Sequence, residues 1–143
     1  MTVLWGCVLQ IFTVFWLGQV LCVVAPEMAQ RLSLMEPAAH TDRAVWEGER
    51  ADAIWDSLGN WVLPLAGMLM ILQSPWWPHV ALIGGGMNVY TAGQVTTRRL
   101  WLPRAGIAAG SAEYVRVARL AALFWGVLAL MTLVFALIAL APV

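Results

Sequence analysis

Few side chains in this sequence can do chemistry, and the ones embedded in its apolar stretches are uncharged. Gln10, Asn60, Asn88, Tyr90, Thr91 and Gln94 stand out there, with Thr13 and Gln19 beside the first of them. Asn88 and Thr91 are three residues apart, so a helix presents them on one face. Neutral polar groups in this setting hydrogen-bond between helices, or they line a pocket that orients a small neutral or lipid-like ligand. The six residues Gln10, Asn60, Asn88, Tyr90, Thr91 and Gln94 are therefore the candidate ligand-binding set.

A second group is acidic. Glu49, Asp52 and Asp56 recur at helical spacing, with Glu47 nearby. Carboxylates so placed can converge on a divalent cation, but no motif fixes the geometry and Arg43 and Arg50 are close enough to neutralise them. The expected role is docking against a basic segment, and no metal site is assigned. His40 and His79 fall on opposite sides of the membrane in the topology derived below, so they cannot clamp a haem between them. Cys7 and Cys22 sit on one helix about 22 Å apart, too far to bridge, and the sequence holds no Cys-x-x-Cys dithiol. No nucleophile triad, phosphate loop, dinucleotide fingerprint or zincin motif is present. The sequence names neither a catalytic residue nor a cofactor.

The elements that must position these residues follow from composition. Apolar residues make up 62% of the 143 positions and charged ones 11%, against about 25% charged in a soluble domain. With a mean hydropathy of +0.78, the chain reads as a single membrane domain. That excludes a nucleic-acid binder and a disulfide scaffold. A span takes roughly 20 mainly apolar residues. Four stretches approach this, at about 3–24, 58–73, 77–95 and 117–141. The first has no basic n-region and outruns the usual apolar core of a cleaved signal, so it reads as a retained helix. The predicted fold class is an all-α integral membrane four-helix bundle. An additional amphipathic helix at about 41–57 precedes the second span. The recurrence of Ala44, Gly48, Ala51, Trp55 and Leu58 predicts that this face packs on another helix.

All eight arginines lie between the first and second stretches or between the third and the start of the fourth. The first connection carries seven acids and three arginines, net −4, and the second carries five arginines and one acid, net +4. Four crossings put both on one side, and the positive-inside rule makes that side cytoplasmic, with both termini outside. The rival topology, in which the middle pair crosses once, separates the two connections. The expected localisation is the inner (plasma) membrane. An Arg-, Ala-, Gly- and Trp-rich chain with no lysine further points to a GC-rich bacterial genome. Ser111 is the predicted N-cap of the last helix, with Glu113 in its first turn.

Small residues predict where helices meet. Ala118, Ala122, Gly126, Ala129, Thr132, Ala136 and Ala139 form one stripe on the fourth helix, and Gly84, Gly85 and Gly86 offer another close-approach surface. Ala122, Gly126, Ala129, Ala136 and Gly85 are the candidate interface residues, serving an intramolecular seam or a docking groove. Trp5, Trp76 and Trp77 mark one membrane interface and Trp61 and Trp101 the other, while Trp16 and Trp125 fill gaps between helices. Spans free of charge argue against proton-coupled export. The expected function is a small non-catalytic multi-pass membrane protein. Its partners are the lipid bilayer and either a membrane protein (or a second copy of itself) or a lipid-like ligand, and not nucleic acid. The alternatives are a membrane enzyme on a lipid-soluble substrate, using Asn88, Tyr90 and Gln94 or Glu49, Asp52 and Asp56, and a small dimeric transporter of a neutral solute.

Overall fold

The computed structural model of the chain describes residues 1–141. Among the described residues the protein is all-helical, with no strand beyond an isolated antiparallel bridge, Thr41 to Ala109. The helices are α1 (Thr2–Leu9), α2 (Ile11–Val24), α3 (Pro26–Arg31), α4 (Arg43–Gly59), α5 (Val62–Ile71), α6 (Trp77–Arg104) and α7 (Ala112–Leu140). A short 3₁₀ turn, Ala38–His40, precedes α4.

The helix boundaries have local causes. Gln10 separates α1 from α2 while keeping helical angles, so the pair forms one rod. Its Nε2 donates to the Pro64 carbonyl on α5 at 3.2 Å, tying the join to a neighbouring helix. The predicted amphipathic helix begins at Asp42, whose carboxylate accepts from Ala44 N–H at 2.9 Å. It runs into α5 with one interruption, Asn60–Trp61. Pro64 explains the place of that interruption, because a proline ring crowds the carbonyl four residues earlier, here Asn60. Ser111 caps α7 as predicted, its hydroxyl accepting from Tyr114 N–H at 3.2 Å.

Three helix ends close with the same hydrogen bond from the sixth residue back to the first. Leu34 N–H donates to Ala29 O, Ser74 to Leu69 O and Ile107 to Leu102 O, at 2.9, 2.9 and 3.0 Å. The motif needs a left-handed residue just before the donor. Gly106 supplies it without strain at φ +73°, whereas Ser33 and Gln73 adopt φ +57° and +52° with side chains in place.

Among the described residues three helical stretches are long and apolar enough to cross a membrane: Thr2–Val24, Arg43–Ile71 and Ala112–Leu140. The fourth predicted span lies in α6, which is 28 residues long but is not among them. Its central Asn88, Tyr90, Thr91 and Gln94 dilute its apolar character. α6 nonetheless lies along α7, while α1 packs on α5, α5 on α6 and α2 on α4. Successive long helices therefore run antiparallel. One end of the bundle, called apolar here, gathers the start of α1, the start of α6 and the last turns of α7. Trp5 Nε1 donates to Thr132 Oγ1 at 3.0 Å there, and Trp77 packs on Phe135 in a tilted arrangement with ring centroids 5.2 Å apart. The other, charged, end gathers α3, α4, the end of α6 and the start of α7.

The main core follows the apolar end and the middle: Leu9, Phe12, Leu63, Ala66, Met70, Ala81, Ala129 and Ala136. A smaller cluster of Cys22, Ala29, Met35 and Ala53 lies at the charged end. Large side chains such as Leu4, Ile83, Leu137 and Ile138 face outward, as expected where the surroundings are as apolar as the interior.

The small-residue stripes are seams within the chain. Ala122, Ala129 and Ala136 are fully buried. A Cβ on Gly126 would fall 2.8 Å from Ala92 Cβ, and one on Gly85 2.9 Å from Leu133. α6 also meets α5 closely, where a Cβ on Gly84 would fall 2.7 Å from the backbone nitrogen of Leu63. Gly6 and Gly67 make a second backbone contact, between α1 and α5, that the sequence reading did not single out.

One expectation is overturned. The face of α4 predicted to pack, Ala44, Gly48, Ala51, Trp55 and Leu58, points largely outward, with Trp55 75% exposed. The acidic face turns inward, carrying buried Val45 and Ala53 with it. Charge decides the orientation, because the arginines of α6 face it. Trp55 and Leu58 are then left on a surface where apolar and aromatic groups are at home.

Candidate functional site

The six predicted ligand residues do not come together. Asn88 is buried, but its Nδ2 donates to the Gly84 carbonyl of its own helix at 2.9 Å. Tyr90 is 72% exposed, Gln94 is exposed, and Thr91 is half-buried. Gln10 is engaged with Pro64 and with the Gly6 carbonyl. Asn60 sits at the α4–α5 break. None of the six lines the cavity described next.

The charged end is where side chains converge. The acidic first connection docks on the basic second one, as their opposite charges predict. Backbone contacts set the register: Asp42 N–H donates to Ala108 O at 2.8 Å beside the Thr41–Ala109 bridge. Glu36 completes the latch, accepting from Ser111 N–H at 2.9 Å and contacting His40 Nδ1 at 3.3 Å. Burial pushes the Glu36 carboxyl up, but the hydrogen bonds from Ser111 and His40 outweigh it and hold the group below its ordinary value. Gly110, at φ +108°, lets the chain pass: a Cβ there would meet the Tyr114 ring at 2.9 Å and Glu36 at 3.1 Å.

Above the latch, α4 and α6 exchange two ion pairs. Arg98 pairs with Asp52, both partly exposed. Arg99 pairs with Glu49 at 2.8 Å, with side chains only 9% and 16% exposed. Arg99 also donates to the Ala109 carbonyl at 2.7 Å and lies 4.8 Å over the Tyr114 ring. Its planar fork thereby joins α4, the α6–α7 connection and α7 at one point.

These pairs border a cavity of about 350 Å³ between α2, α4, α6 and α7. α4 contributes Glu49, Asp52, Ala53 and Asp56, and α6 contributes Val95, Arg98, Arg99 and Leu102. α2 lines it from Val14 and Phe15 to Gln19 and Cys22, and α7 from Tyr114 through Ala118 and Ala121 to Trp125. Tyr114 to Trp125 spans about 16 Å of helix rise. The cavity thus has carboxylates and guanidinium groups on its α4 and α6 walls and mainly aromatic and aliphatic side chains on its α2 and α7 walls. The Trp125 Nε1–H is buried and has no acceptor among the described residues. A buried donor left without a partner is costly and marks a place where an acceptor fits. No group of three or more His, Cys, Asp or Glu among the described residues is arranged to hold a metal ion.

The acidic stripe was legible from spacing alone. Arg98 and Arg99 stand in the sequence as part of the basic second connection, and nothing in it singles out Tyr114. The signal that could have joined them is the match between Glu49, Asp52 and Asp56, at steps of three and four, and an arginine pair at the end of the facing helix. A separate groove of about 470 Å³ lies at the apolar end between α1 and α7, walled by Leu4, Val8, Leu130, Met131 and Val134. It has no polar side chain beyond the rim of Trp5 and reads as lipid-facing surface. Comparison of the chain with family models, curated proteins and solved structures finds no match.

Proposed function

We propose that this chain is a small, non-catalytic, multi-pass membrane protein that binds a lipid-like ligand in the cavity between α2, α4, α6 and α7. The observation that carries the reading is the cavity's divided lining, with carboxylates and guanidinium groups on α4 and α6 and mainly apolar and aromatic side chains on α2 and α7. An amphiphile has the same two-part character, and small-molecule sites combine mainly apolar walls with a few placed polar groups. A partner helix is the weaker occupant, because the stripes that would receive it, at Ala122, Gly126, Ala129, Ala136 and Gly85, are already filled by the chain itself.

In this reading α6 is a fourth crossing, completing a four-helix bundle. Its polar middle is tolerated because Asn88 faces inward and satisfies itself on Gly84. The arginine-bearing end is then cytoplasmic, both termini lie outside, and the membrane is the inner membrane of a bacterium. The ligand enters from the cytoplasmic leaflet.

Native mass spectrometry of the chain released from mild detergent tests the proposal, alongside Ala118→Phe, which fills the cavity wall. The expected result is one lipid-mass adduct per chain, reduced about tenfold in the variant, a change of ~1.4 kcal/mol in affinity. A chain that flies bare, or adducts of equal abundance in both proteins, overturns it.

A further inference from the structure

The cavity's charges are not balanced, and the imbalance specifies the ligand. Glu49, Asp52 and Asp56 face two guanidinium groups, those of Arg98 and Arg99. Arg99 is committed to Glu49, to the Ala109 carbonyl and to the Tyr114 ring, and Arg98 to Asp52. Asp56 forms no ion pair among the described residues, and the groups beside it on its own helix are Asp52 and Asn60. The half-buried carboxylate of Asp56 therefore borders the cavity without a counter-cation. On the α7 wall, the Trp125 Nε1–H is a buried donor without an acceptor among the described residues. An occupant that satisfies both groups brings a cation to Asp56 and an acceptor oxygen to Trp125.

Resting on the lipid-binding reading, we propose that the ligand is an amphiphile whose head carries a primary ammonium, seated on Asp56. A head bearing phosphate alone meets guanidinium groups already paired and adds a like charge beside an unpaired carboxylate. An ammonium makes a charge-assisted hydrogen bond to Asp56 in a site partly withdrawn from water, where such bonds are strongest. Two sources share this chemistry, an ethanolamine glycerolipid and a single-chain amine. The ester carbonyls of the first lie just below its head and also supply the acceptor for Trp125.

Cys22 lines the cavity and reports its occupancy. In a Cys7→Ser background, the rate of Cys22 alkylation by a small maleimide is measured in maltoside micelles. Phosphatidylethanolamine, phosphatidylglycerol or octylamine is added in turn. The expected result is that phosphatidylethanolamine slows alkylation roughly tenfold at about ten times its Kd, and phosphatidylglycerol does not. Asp56→Asn loses the protection and Asp56→Glu keeps it, with both variants checked for an unchanged melting temperature. Protection by octylamine as well places recognition in the head alone. Protection confined to phosphatidylethanolamine adds the ester carbonyls, and both outcomes support the proposal. Equal protection by phosphatidylglycerol and phosphatidylethanolamine in the unaltered cavity overturns it while leaving the cavity a lipid site. Failure of every additive to slow Cys22 overturns the lipid-binding reading itself.

Discussion

At the apolar end the helices meet through glycine and alanine, backbone against backbone; at the charged end they meet through long side chains that bridge a gap. Gly84 lies against the backbone of Leu63, and Gly6 against the carbonyl of Gly67, leaving no room for a methyl group. Arg99 instead reaches across from α6 to Glu49, holding α4 at the length of two side chains. Close contact of small residues excludes any ligand. Bridging by Arg and Glu holds helices apart and leaves the about 350 Å³ cavity between them. The cavity is thus a consequence of how the charged end is assembled. In lipid, dispersion contacts between close-packed backbones hold one end, and paired charges near the water interface hold the other.

The largest expected effect breaks the charged end. Arg99→Met leaves Glu49 unpaired in a mostly buried place and costs about 3 kcal/mol or more. Arg98→Met, whose partner Asp52 is 41% exposed, costs less than about 1 kcal/mol. Unfolding of both variants in mixed micelles checks the contrast. Equal costs would mean that burial does not distinguish the two pairs.

Next comes the apolar end. Gly84→Ala drives a methyl into the Leu63 backbone and costs about 2 kcal/mol. Gly86→Ala, two residues on, meets nothing within 4 Å and gains up to about 1 kcal/mol from helix propensity. Thermal melts of the pair settle whether the seam is as tight as the spacing indicates.

The latch is weaker and depends on pH. Glu36 is held below its ordinary value of 4.5, so its folded form binds protons less readily than its unfolded form. The stabilisation is complete above that ordinary value and is lost as the pH falls through the lower folded value. It amounts to about 1 kcal/mol. Melting temperature against pH should show this acid-limb loss in the unaltered chain, and Glu36→Gln should remove it.

The smallest effect concerns a turn. Gln73 holds φ +52° between α5 and α6. Gln73→Gly relieves a left-handed strain of roughly 1 kcal/mol, part of which is given back as unfolded-chain entropy. A rise of a degree or two in melting temperature would be consistent with roughly half of that strain being recovered.

The helical class, the N-cap at Ser111 and the Gly85 and Gly126 seams were legible because each has a local or periodic cause in the sequence. The docking of the acidic connection on the basic one followed from charge alone. The orientation of α4 did not, because its two faces compete. Periodicity favoured the small and aromatic face, and only the placement of Arg98 and Arg99 on the facing helix shows that the acidic face wins. The cavity was illegible for the same reason. Its lining comes from four helices, and Asn88, Tyr90 and Gln94 share a helix without sharing a direction. Gly6 and Gly67 went unread because a single glycine in an apolar run gives no pattern until its partner is known.

Two buried indole N–H groups lack acceptors among the described residues, and they give the test, because Trp125 lines the cavity and Trp46 does not. With ¹⁵N-labelled tryptophan, the indole resonances are followed as phosphatidylethanolamine is titrated into the micelle-held protein. Assignment is by Trp125→Phe and Trp46→Phe. A saturable downfield shift of the Trp125 N–H is expected, as it gains an acceptor, with Trp46 unmoved. A Trp125 resonance that stays in place, or shifts that are uniform and unsaturable across all nine tryptophans of the chain, would contradict it.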